Sequence, residues 1–262
     1  MAKTSPRQRL SPTTRTLVNG ENDHRPLITK TDAKERMEDS EIEAEIARTN
    51  HDYFNLVALV PVVLTLLPNW DLPKLFSFSA YPASCYTGEY FFLNWTVTAL
   101  YFIIDLLWVM KVPTCVKSPD VIIKHHKISL VYLLAPIFFP QYAWFMGAVL
   151  SVEINTWFLI LRRVIYKNKV HPLLAETVSF CFYITWIAIR CIVYPFILLD
   201  FLRLYVAKVQ ETETLFHWPM LAIPVHAMLC ILNLKWTYDL FAPIVQRWVS
   251  CDAETPTIAT GL

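Results

Sequence analysis

The amino-acid sequence predicts an all-α, polytopic transmembrane helical bundle with about six membrane spans. Hydrophobic residues make up 55% of the 262-residue chain, and its mean hydropathy is +0.38. Several apolar runs are long enough to cross a hydrocarbon core of about 30 Å as helices, which rise about 1.5 Å per residue. The spans are predicted at residues 53–70, 90–110, 121–140, 143–163, 173–199 and 219–241.

Polar segments flank this predicted bundle. Residues 1–50 contain no apolar run and are rich in Ser, Thr, Arg and acidic residues, which is typical of a mostly disordered tail. The alternative for part of the tail is a short helix from Asp32 to Arg48, because Asp32 and Glu35 have capping-box spacing. The predicted domains are the tail at 1–50, a transmembrane domain at 51–245 and a short C-terminal tail at 246–262.

Lysine and arginine are unevenly distributed among the loops. The loops at 111–124 and 162–172 are basic, whereas the loop at 71–89 contains a single lysine. Short basic loops stay in the cytosol. With an even number of spans, both termini are therefore predicted to be cytosolic. Arg203 and Lys208, after the fifth span, are a weaker contrary signal.

Composition and spacing exclude several classes of function. The 23 basic and 22 acidic residues nearly balance, and no basic patch is interleaved with aromatics, so no nucleic-acid partner is expected. The six cysteines form no CxxC pair and no Cys/His spacing typical of zinc. The one adjacent histidine pair does not supply the several histidine boxes of a di-iron membrane enzyme. We therefore expect no metal site and mostly free thiols.

Polar side chains recur at helical spacing inside the second and third spans. In the second span they fall at i, i+4, i+7 and i+11, which is one face of a helix. In the third span, His125 begins a similar face, and His126 points about 100° away from it. The polar residues of these two spans are Asn94, Thr98, Tyr101, Asp105, His125, His126, Ser129 and Tyr132.

The later spans also carry charged or amide side chains, namely Glu153, Asn155, Arg190 and Asn233. A charge inside a membrane costs several kcal/mol, so such residues usually face a bundle interior and are usually functional. We expect these four to line one interior cavity together with Asp105 and His125, and Asp105 to lie within hydrogen-bond or one-water reach of a histidine. The alternative for Glu153 and Arg190 is a structural role, because hydrogen bonds between helices also hold bundles together.

Five segments carry a family resemblance. They are "YFIIDLLWVM" (101–110), "KHHKISL" (124–130), "LSVEINTWFLILRR" (150–163), "FYITWIAIRCIVYPF" (182–196) and "LNLKW" (232–236). In this order and spacing they resemble the TLC family of lipid-sensing and ceramide-synthase-like membrane proteins, over roughly residues 53–245. The resemblance implies a bundle of six or more helices in the endoplasmic reticulum or another endomembrane, acting in lipid metabolism.

The same resemblance implies roles for individual residues. In the ceramide-synthase branch, paired histidines serve acyl transfer from acyl-CoA to a sphingoid amine. Carried over, His125 and His126 would be catalytic with Asp105 as their carboxylate partner, since an imidazole near pKa 6.5 acts as a base or a nucleophile. That branch has a second His-Asp pair after the first histidines, and this chain has none there. The sequence therefore resembles the smaller TLC-domain-containing proteins more closely.

Two hypotheses of function follow. In the first, the protein acts in lipid homeostasis on a fatty-acyl lipid, or binds one, with membrane lipids as partners and acyl-CoA as a candidate co-substrate but no further cofactor. In the second, it is a non-enzymatic lipid sensor or a cargo or trafficking adaptor of the endoplasmic reticulum. The C-terminal residues "TPTIATGL" lack a dilysine retrieval signal, which counts against a recycling receptor. The sequence predicts no oligomeric state.

Overall fold

The fold is described from a computed structural model, which describes residues 30–77, 85–140 and 143–253. Within these ranges every regular element is helical, apart from one isolated antiparallel bridge between Trp70 and Tyr86. The chain divides into two compact units, Met1–Glu41 and Ile42–Leu262. The all-α class is therefore confirmed.

Ten α-helices form the described part of the chain, together with three short 3₁₀ turns and one π-helical segment. The helices are α1 (Lys30–Leu66), α2 (Leu72–Phe76), α3 (Phe91–Lys111), α4 (Pro119–Tyr132), α5 (Ala135–Phe138), α6 (Ala143–Leu150), α7 (Val152–Lys167), α8 (Pro172–Thr185), α9 (Tyr194–Thr212) and α10 (Ala222–Ala253). The π-helical segment, Trp186–Val193, joins α8 directly to α9.

Six of the described helical stretches are long and apolar enough to cross a membrane, which confirms the predicted number of spans. They are Lys34–Asn69, Phe91–Lys111, Pro119–Phe138, Ala143–Lys167, Pro172–Thr212 and Ala222–Gln246. Helix α4 therefore combines with α5, and α6 with α7, to make the third and fourth spans. The fifth span contains α8, the π-helical segment and α9.

The first helix begins earlier than the sequence suggested. Helix α1 starts at Lys30, so residues 30–50 are helical where a mostly disordered tail was expected. Between Lys30 and Val60 there is no glycine or proline, and the Ala, Glu and Arg of this stretch are strong helix formers. A span that already forms a helix supplies the nucleus, so adding preceding turns is cheap. Residues 1–29 and 254–262 lie outside the described residues, and the domain boundaries stay predictions.

The π-helical segment is explained by the proline that follows it. Pro195 has no backbone N–H to donate, and its ring crowds the carbonyl of Cys191 four residues earlier. A wider turn before the proline relieves this conflict, and π-helical turns are frequent at functional sites. Arg190 lies within this segment and is only 7% exposed. The segment thus carries a buried cation.

Helix α6 lies at the centre of the packing. All residues from Phe145 to Leu150 are buried, although the helix has only two turns. The Tyr86 ring, from the segment before α3, packs directly on Gly147, where a Cβ atom would lie 2.1 Å from Tyr86 Cζ. The ring also meets the edge of Trp70 at 5.2 Å between centroids. Glycine is therefore required at 147 for this close approach.

Replacing Gly147 with alanine is expected to destabilise the protein. Alanine favours helix by about 1 kcal/mol over glycine, but overpacking costs about 1–3 kcal/mol, and Tyr86 must leave its position against Trp70. We expect a net loss that lowers Tm by a few degrees in detergent, at about 2–4 °C per kcal/mol for a chain of this size. In a Tyr86→Ala background the same change should raise Tm instead. Equal changes in Tm for Gly147→Ala in the wild-type and Tyr86→Ala backgrounds would refute the contact.

Candidate functional site

A buried carboxylate on α3 lies between two histidines from different helices. His51 Nε2, on α1, donates a hydrogen bond to Asp105 Oδ1 at 2.7 Å. His126 Nδ1, on α4, lies 3.2 Å from the other carboxylate oxygen, Oδ2. The three residues are 5%, 2% and 7% exposed for His51, Asp105 and His126, respectively. We call this set the His51–Asp105–His126 cluster.

The two histidines contact Asp105 in different ways. The bond from His51 is short and meets hydrogen-bond geometry. The His126 Nδ1 atom is close enough to the carboxylate for an ion pair. It has no hydrogen-bond partner among the described residues, so this contact does not meet hydrogen-bond geometry. The His126 ring is instead stacked on Phe102, with centroids 5.4 Å apart. His51 is therefore the histidine more tightly fixed by the carboxylate.

The orientation of His51 is set by its neighbours on α1 and α3. Because Nε2 carries the hydrogen donated to Asp105, Nδ1 is the acceptor in the neutral ring, and Asn55 Nδ2 lies 3.4 Å from Nδ1 and 3.1 Å from Nε2. Trp108 covers the ring with its centroid 6.0 Å away, and Phe54 stacks on that indole. Sequence reasoning did not single out His51, because the residue lies where the polar tail meets the first span.

His125 faces a different part of the bundle from His126. The two ring centroids are 5.5 Å apart, and the edge of the His125 ring meets Trp236 of α10 at 5.8 Å. His125 Nδ1 is buried and has no hydrogen-bond partner within the described ranges. The adjacent histidines therefore extend the polar interior from Asp105 towards α10.

A second polar cluster surrounds Arg190. Its Nε donates to Asn155 Oδ1 at 2.7 Å and its Nη1 donates to Asn233 Oδ1 at 2.8 Å. Its Nη2 donates a longer bond of 3.3 Å to Thr156 Oγ1. The guanidinium also lies over the Trp186 ring at 4.7 Å, a cation–π contact. Arg190 thereby ties α7, the fifth span and α10 together.

Glu153 lies in the same interior without a direct ion pair to Arg190. The side chain is 4% exposed, and Thr156, three residues later on the same helix, accepts from Arg190 and donates to the Val152 carbonyl at 3.2 Å. Among the described residues, no nitrogen of Arg190 lies within ion-pair distance of this carboxylate. The buried acid and the buried base therefore lie in one interior without a direct ion pair.

Trp236 joins the two clusters. Its ring contacts His125, as above, and lies under the guanidinium of Arg190 at 5.5 Å. The structure thus brings the predicted residues into two adjoining polar clusters. The predicted proximity of Asp105 to a histidine is seen twice. The functional roles assigned to these residues stay predictions.

Comparison with known proteins gives one family. The family model of the TLC domain matches residues 53–242. This chain belongs to the TLC-domain family.

The matched stretch of the TLC domain contains Asp105, both paired histidines and the whole Arg190 cluster, whereas His51 lies just before it. Together with the six apolar helices, the family shows a multi-pass membrane protein whose function is related to membrane lipids. No curated protein and no solved structure matches this chain.

Metal and thiol chemistry have no evident site in the described part of this TLC-domain protein. Its described residues include no group of three or more His, Cys, Asp or Glu side chains placed to hold a metal ion. Cys115, Cys181, Cys191 and Cys230 are free thiols. Burial raises the pKa of the Cys115 thiol to about 11, so this thiol stays protonated at neutral pH and is a poor nucleophile.

A cavity of about 60 Å³ lies elsewhere in the TLC domain, between the end of α4, α6, α9 and the start of α10. None of the seven residues predicted for the site lines it. The predicted site residues Asp105, Asn155, Arg190 and Asn233 have hydrogen-bond partners on neighbouring helices, whereas His125 Nδ1 and His126 Nδ1 have none among the described residues. A shared cavity around them stays a prediction.

Proposed function

We propose that this TLC-domain protein acts in membrane-lipid homeostasis by transferring or holding a fatty-acyl group, with the His51–Asp105–His126 cluster handling the proton. The observation that carries the proposal is the single buried carboxylate held between two imidazoles. Ionisable side chains are expensive at membrane depth and usually mark a functional path. Here two histidines on separate spans contact a carboxylate on a third span. This arrangement favours a catalytic role over a purely structural one.

The cluster suits general acid–base catalysis. A carboxylate beside an imidazole fixes its tautomer and stabilises the imidazolium. In acyl transfer from acyl-CoA, the candidate co-substrate, the hydroxyl or amine of an acceptor lipid attacks the thioester carbonyl and loses its proton to an imidazole. The C–S bond then breaks, and the thiol of CoA leaves with that proton. His126 and His125 face inward for this role, and His51 and Asp105 position His126 electrostatically.

The proposed location is the endoplasmic reticulum or another endomembrane, with the cluster near the cytosolic surface. Lys111 ends α3 one and a half turns after Asp105, and Lys117 and Lys124 precede the histidines. All three are exposed. This basic end of the bundle is the one that the distribution of Lys and Arg assigns to the cytosol, where a water-soluble acyl donor would arrive.

Lipid profiles of cells that carry single substitutions test the proposal. We expect His126→Ala to reproduce the profile of the deletion, because the imidazole that faces Asp105 is lost. The matched control is His171→Asn, since His171 is exposed and caps the N-terminus of α8, and asparagine is also a good cap. This control should keep the wild-type profile. A wild-type profile for His126→Ala, in cells where the deletion changes it, would exclude the histidine from the mechanism.

The second candidate function is a non-enzymatic lipid sensor or trafficking adaptor. It is favoured by the position of the described cavity, which none of His51, His125 and His126 lines. Deleting residues 1–41 separates the adaptor from the enzyme and the sensor, and it spares Glu45 and Thr49, which bind Lys167. Lost localisation with intact lipid effects favours the enzyme or sensor, whereas lost cargo export with a normal lipid profile favours the adaptor.

A further inference from the structure

Four lysines form an exposed basic surface where α3 ends and α4 begins. Residues 111–127 contain these four lysines and a single acidic residue, Asp120, so the net charge of the segment is +3 with its histidines neutral. All four lysine side chains are exposed. We name them the 111–127 lysine surface, which consists of Lys111, Lys117, Lys124 and Lys127.

The charge of these lysines is not balanced by acidic neighbours in the described part of the chain. There, no ion pair and no side-chain hydrogen bond involves any of the four. Most other exposed basic side chains of the described helices do have an acidic partner. Examples are Arg163 with Asp52 at 2.7 Å and Lys235 with Asp239 at 2.6 Å. The 111–127 lysine surface therefore presents its positive charge to an external anion.

The connection that carries this surface is short and held in place. The Val112 N–H donates to the Trp108 carbonyl at 2.8 Å, and Pro113–Cys115 forms a 3₁₀ turn. The Cys115 side chain is 3% exposed, so the turn is packed against the bundle. The proline ring at 113 also fixes one backbone angle of the turn. A ligand therefore does not have to order the segment that it binds, which lowers the cost of binding.

Helix lengths place the 111–127 lysine surface at the level of lipid head groups. Helix α3 has 21 residues, which is about 31 Å, so its last residue, Lys111, lies at the edge of a hydrocarbon core of about 30 Å. Lys124 and Lys127 lie within the first three turns of α4, which begins at Pro119. Their Cα–Cβ bonds tilt towards that beginning, and lysine extends its ammonium towards the interface. Lys117 lies in the connection, outside both helices, and so farther from the core.

Charge matching selects the class of head group. Lysine binds phosphate as a point charge. A phosphodiester carries one negative charge and a phosphomonoester about 1.5 to 2 at neutral pH, so an inositol phospholipid with one added phosphate carries about 2.5 to 3. This matches the +3 of residues 111–127. Phosphatidate and phosphatidylinositol both carry less charge, because each has only one phosphate.

We propose that the 111–127 lysine surface binds the head group of a phosphorylated inositol phospholipid in the adjoining leaflet. The phosphodiester, near the core, contacts Lys124 and Lys127. The phosphomonoester, on the far side of the inositol ring, contacts Lys117. This site is additional to the proposed acyl chemistry, because it uses no residue of the His51–Asp105–His126 cluster. The bound head group adjoins the paired histidines, since Lys124 and Lys127 flank them in the chain.

Titration of short-chain lipids into the full-length protein in phosphatidylcholine nanodiscs tests the site. The probes are dioctanoyl phosphatidylinositol monophosphate and dioctanoyl phosphatidylinositol, which lacks the phosphomonoester. Thermophoresis of the labelled protein gives the Kd of each lipid. We expect the phosphorylated lipid to bind about fivefold more tightly, the factor that corresponds to about 1 kcal/mol for one added lysine contact at a membrane surface.

Two further ligands identify the source of the phosphate. Dioctanoyl phosphatidate has a phosphomonoester but no inositol ring, and inositol bisphosphate is the head group without its chains. Each should bind at least about fivefold more weakly than the phosphorylated inositol lipid. Equal binding of phosphatidate would overturn the inositol head group. Equal binding of inositol bisphosphate would overturn a lipid as the ligand.

Lysine variants assign the contacts. Lys117→Gln should abolish the preference for the phosphorylated lipid, whereas Lys124→Gln should weaken the binding of both inositol lipids about fivefold. The control is Lys74→Gln, which should change neither Kd, because Lys74 is exposed on α2, before the opposite end of α3. Equal binding of the two inositol lipids to the wild type, or an unchanged preference in Lys117→Gln, overturns the proposal. All three side chains are exposed, so the variants are expected to fold.

Discussion

Replacing Asp105 with asparagine is expected to reduce the protein's effect on cellular lipids by about 100-fold or more, the usual contribution of general acid–base catalysis. Asparagine has nearly the same shape and still accepts the hydrogen bond from His51. It carries no charge, however, and so cannot stabilise an imidazolium on His51 or His126. The loss of stability should be small, about 1 kcal/mol. Lipid profiling and Tm in detergent, measured on the same variant, separate the two effects.

Two further substitutions complete this prediction. Asp120→Asn is the matched control, because Asp120 is exposed in the first turn of α4, and it should leave both measurements unchanged. Asp105→Leu removes the acceptor as well as the charge, so it should cost about 1–3 kcal/mol more through the unpaired imidazole of His51. A normal lipid profile in Asp105→Asn, with protein at wild-type abundance, would show that the cluster holds the bundle together and does no chemistry.

Replacing Arg190 with methionine is expected to destabilise the protein by about 3 kcal/mol, the lower end of the range for breaking a buried polar pair. The change leaves the amide oxygens of Asn155 and Asn233 buried without their donor. At about 2–4 °C per kcal/mol, this corresponds to a Tm lower by about 6–12 °C. Thermal unfolding of the purified protein in detergent is the measurement. Arg203→Met, at an exposed position, should change Tm by less than about 2 °C.

The same cluster can be tested for coupling. Adding Asn233→Leu to Arg190→Met removes the stranded acceptor together with its donor, so the double variant should lose less stability than the sum of the single changes. Additive losses would mean that Arg190 and Asn233 do not form the bond at 2.8 Å. Arg190→Lys should be intermediate, because lysine keeps the charge but lacks the planar fork that reaches two amides at once.

The sequence was sufficient for the spans and for part of the site. Apolar length fixed the number of spans, and helical spacing placed Asp105 on the face that meets the α4 histidines. Helical periodicity also placed Arg190, Asn155 and Asn233 in the interior, where they bond to one another. These inferences succeed because a bilayer penalises outward-facing polar groups so strongly that few arrangements remain.

Other features depend on packing that spacing does not encode. His51 lies in a stretch that reads as a polar tail, and only the continuation of α1 brings it to Asp105. The pair His51 and Asn55, at i and i+4 before an apolar run, was the available signal. Helix geometry predicted that the side chains of His125 and His126 point about 100° apart. The partner of each ring, however, depends on how α4 packs between α3 and α10. The π-helical turn before Pro195 was likewise not predicted from the spacing of residues.

The hydrogen bond between Arg190 and Asn155 also bears on how the chain enters the membrane during synthesis. Arginine at the centre of a span costs about 2.5–3.5 kcal/mol to insert, and the fifth span carries Arg190 within its apolar sequence. Its partner Asn155 lies in the preceding span, joined to it by the four residues between Lys167 and Pro172. The two spans form a helical hairpin in which the Asn155 amide accepts a hydrogen bond from Arg190 and offsets part of the insertion cost. The fourth span thus lowers the cost of inserting the fifth, and this benefit depends on the order of the two segments in the chain.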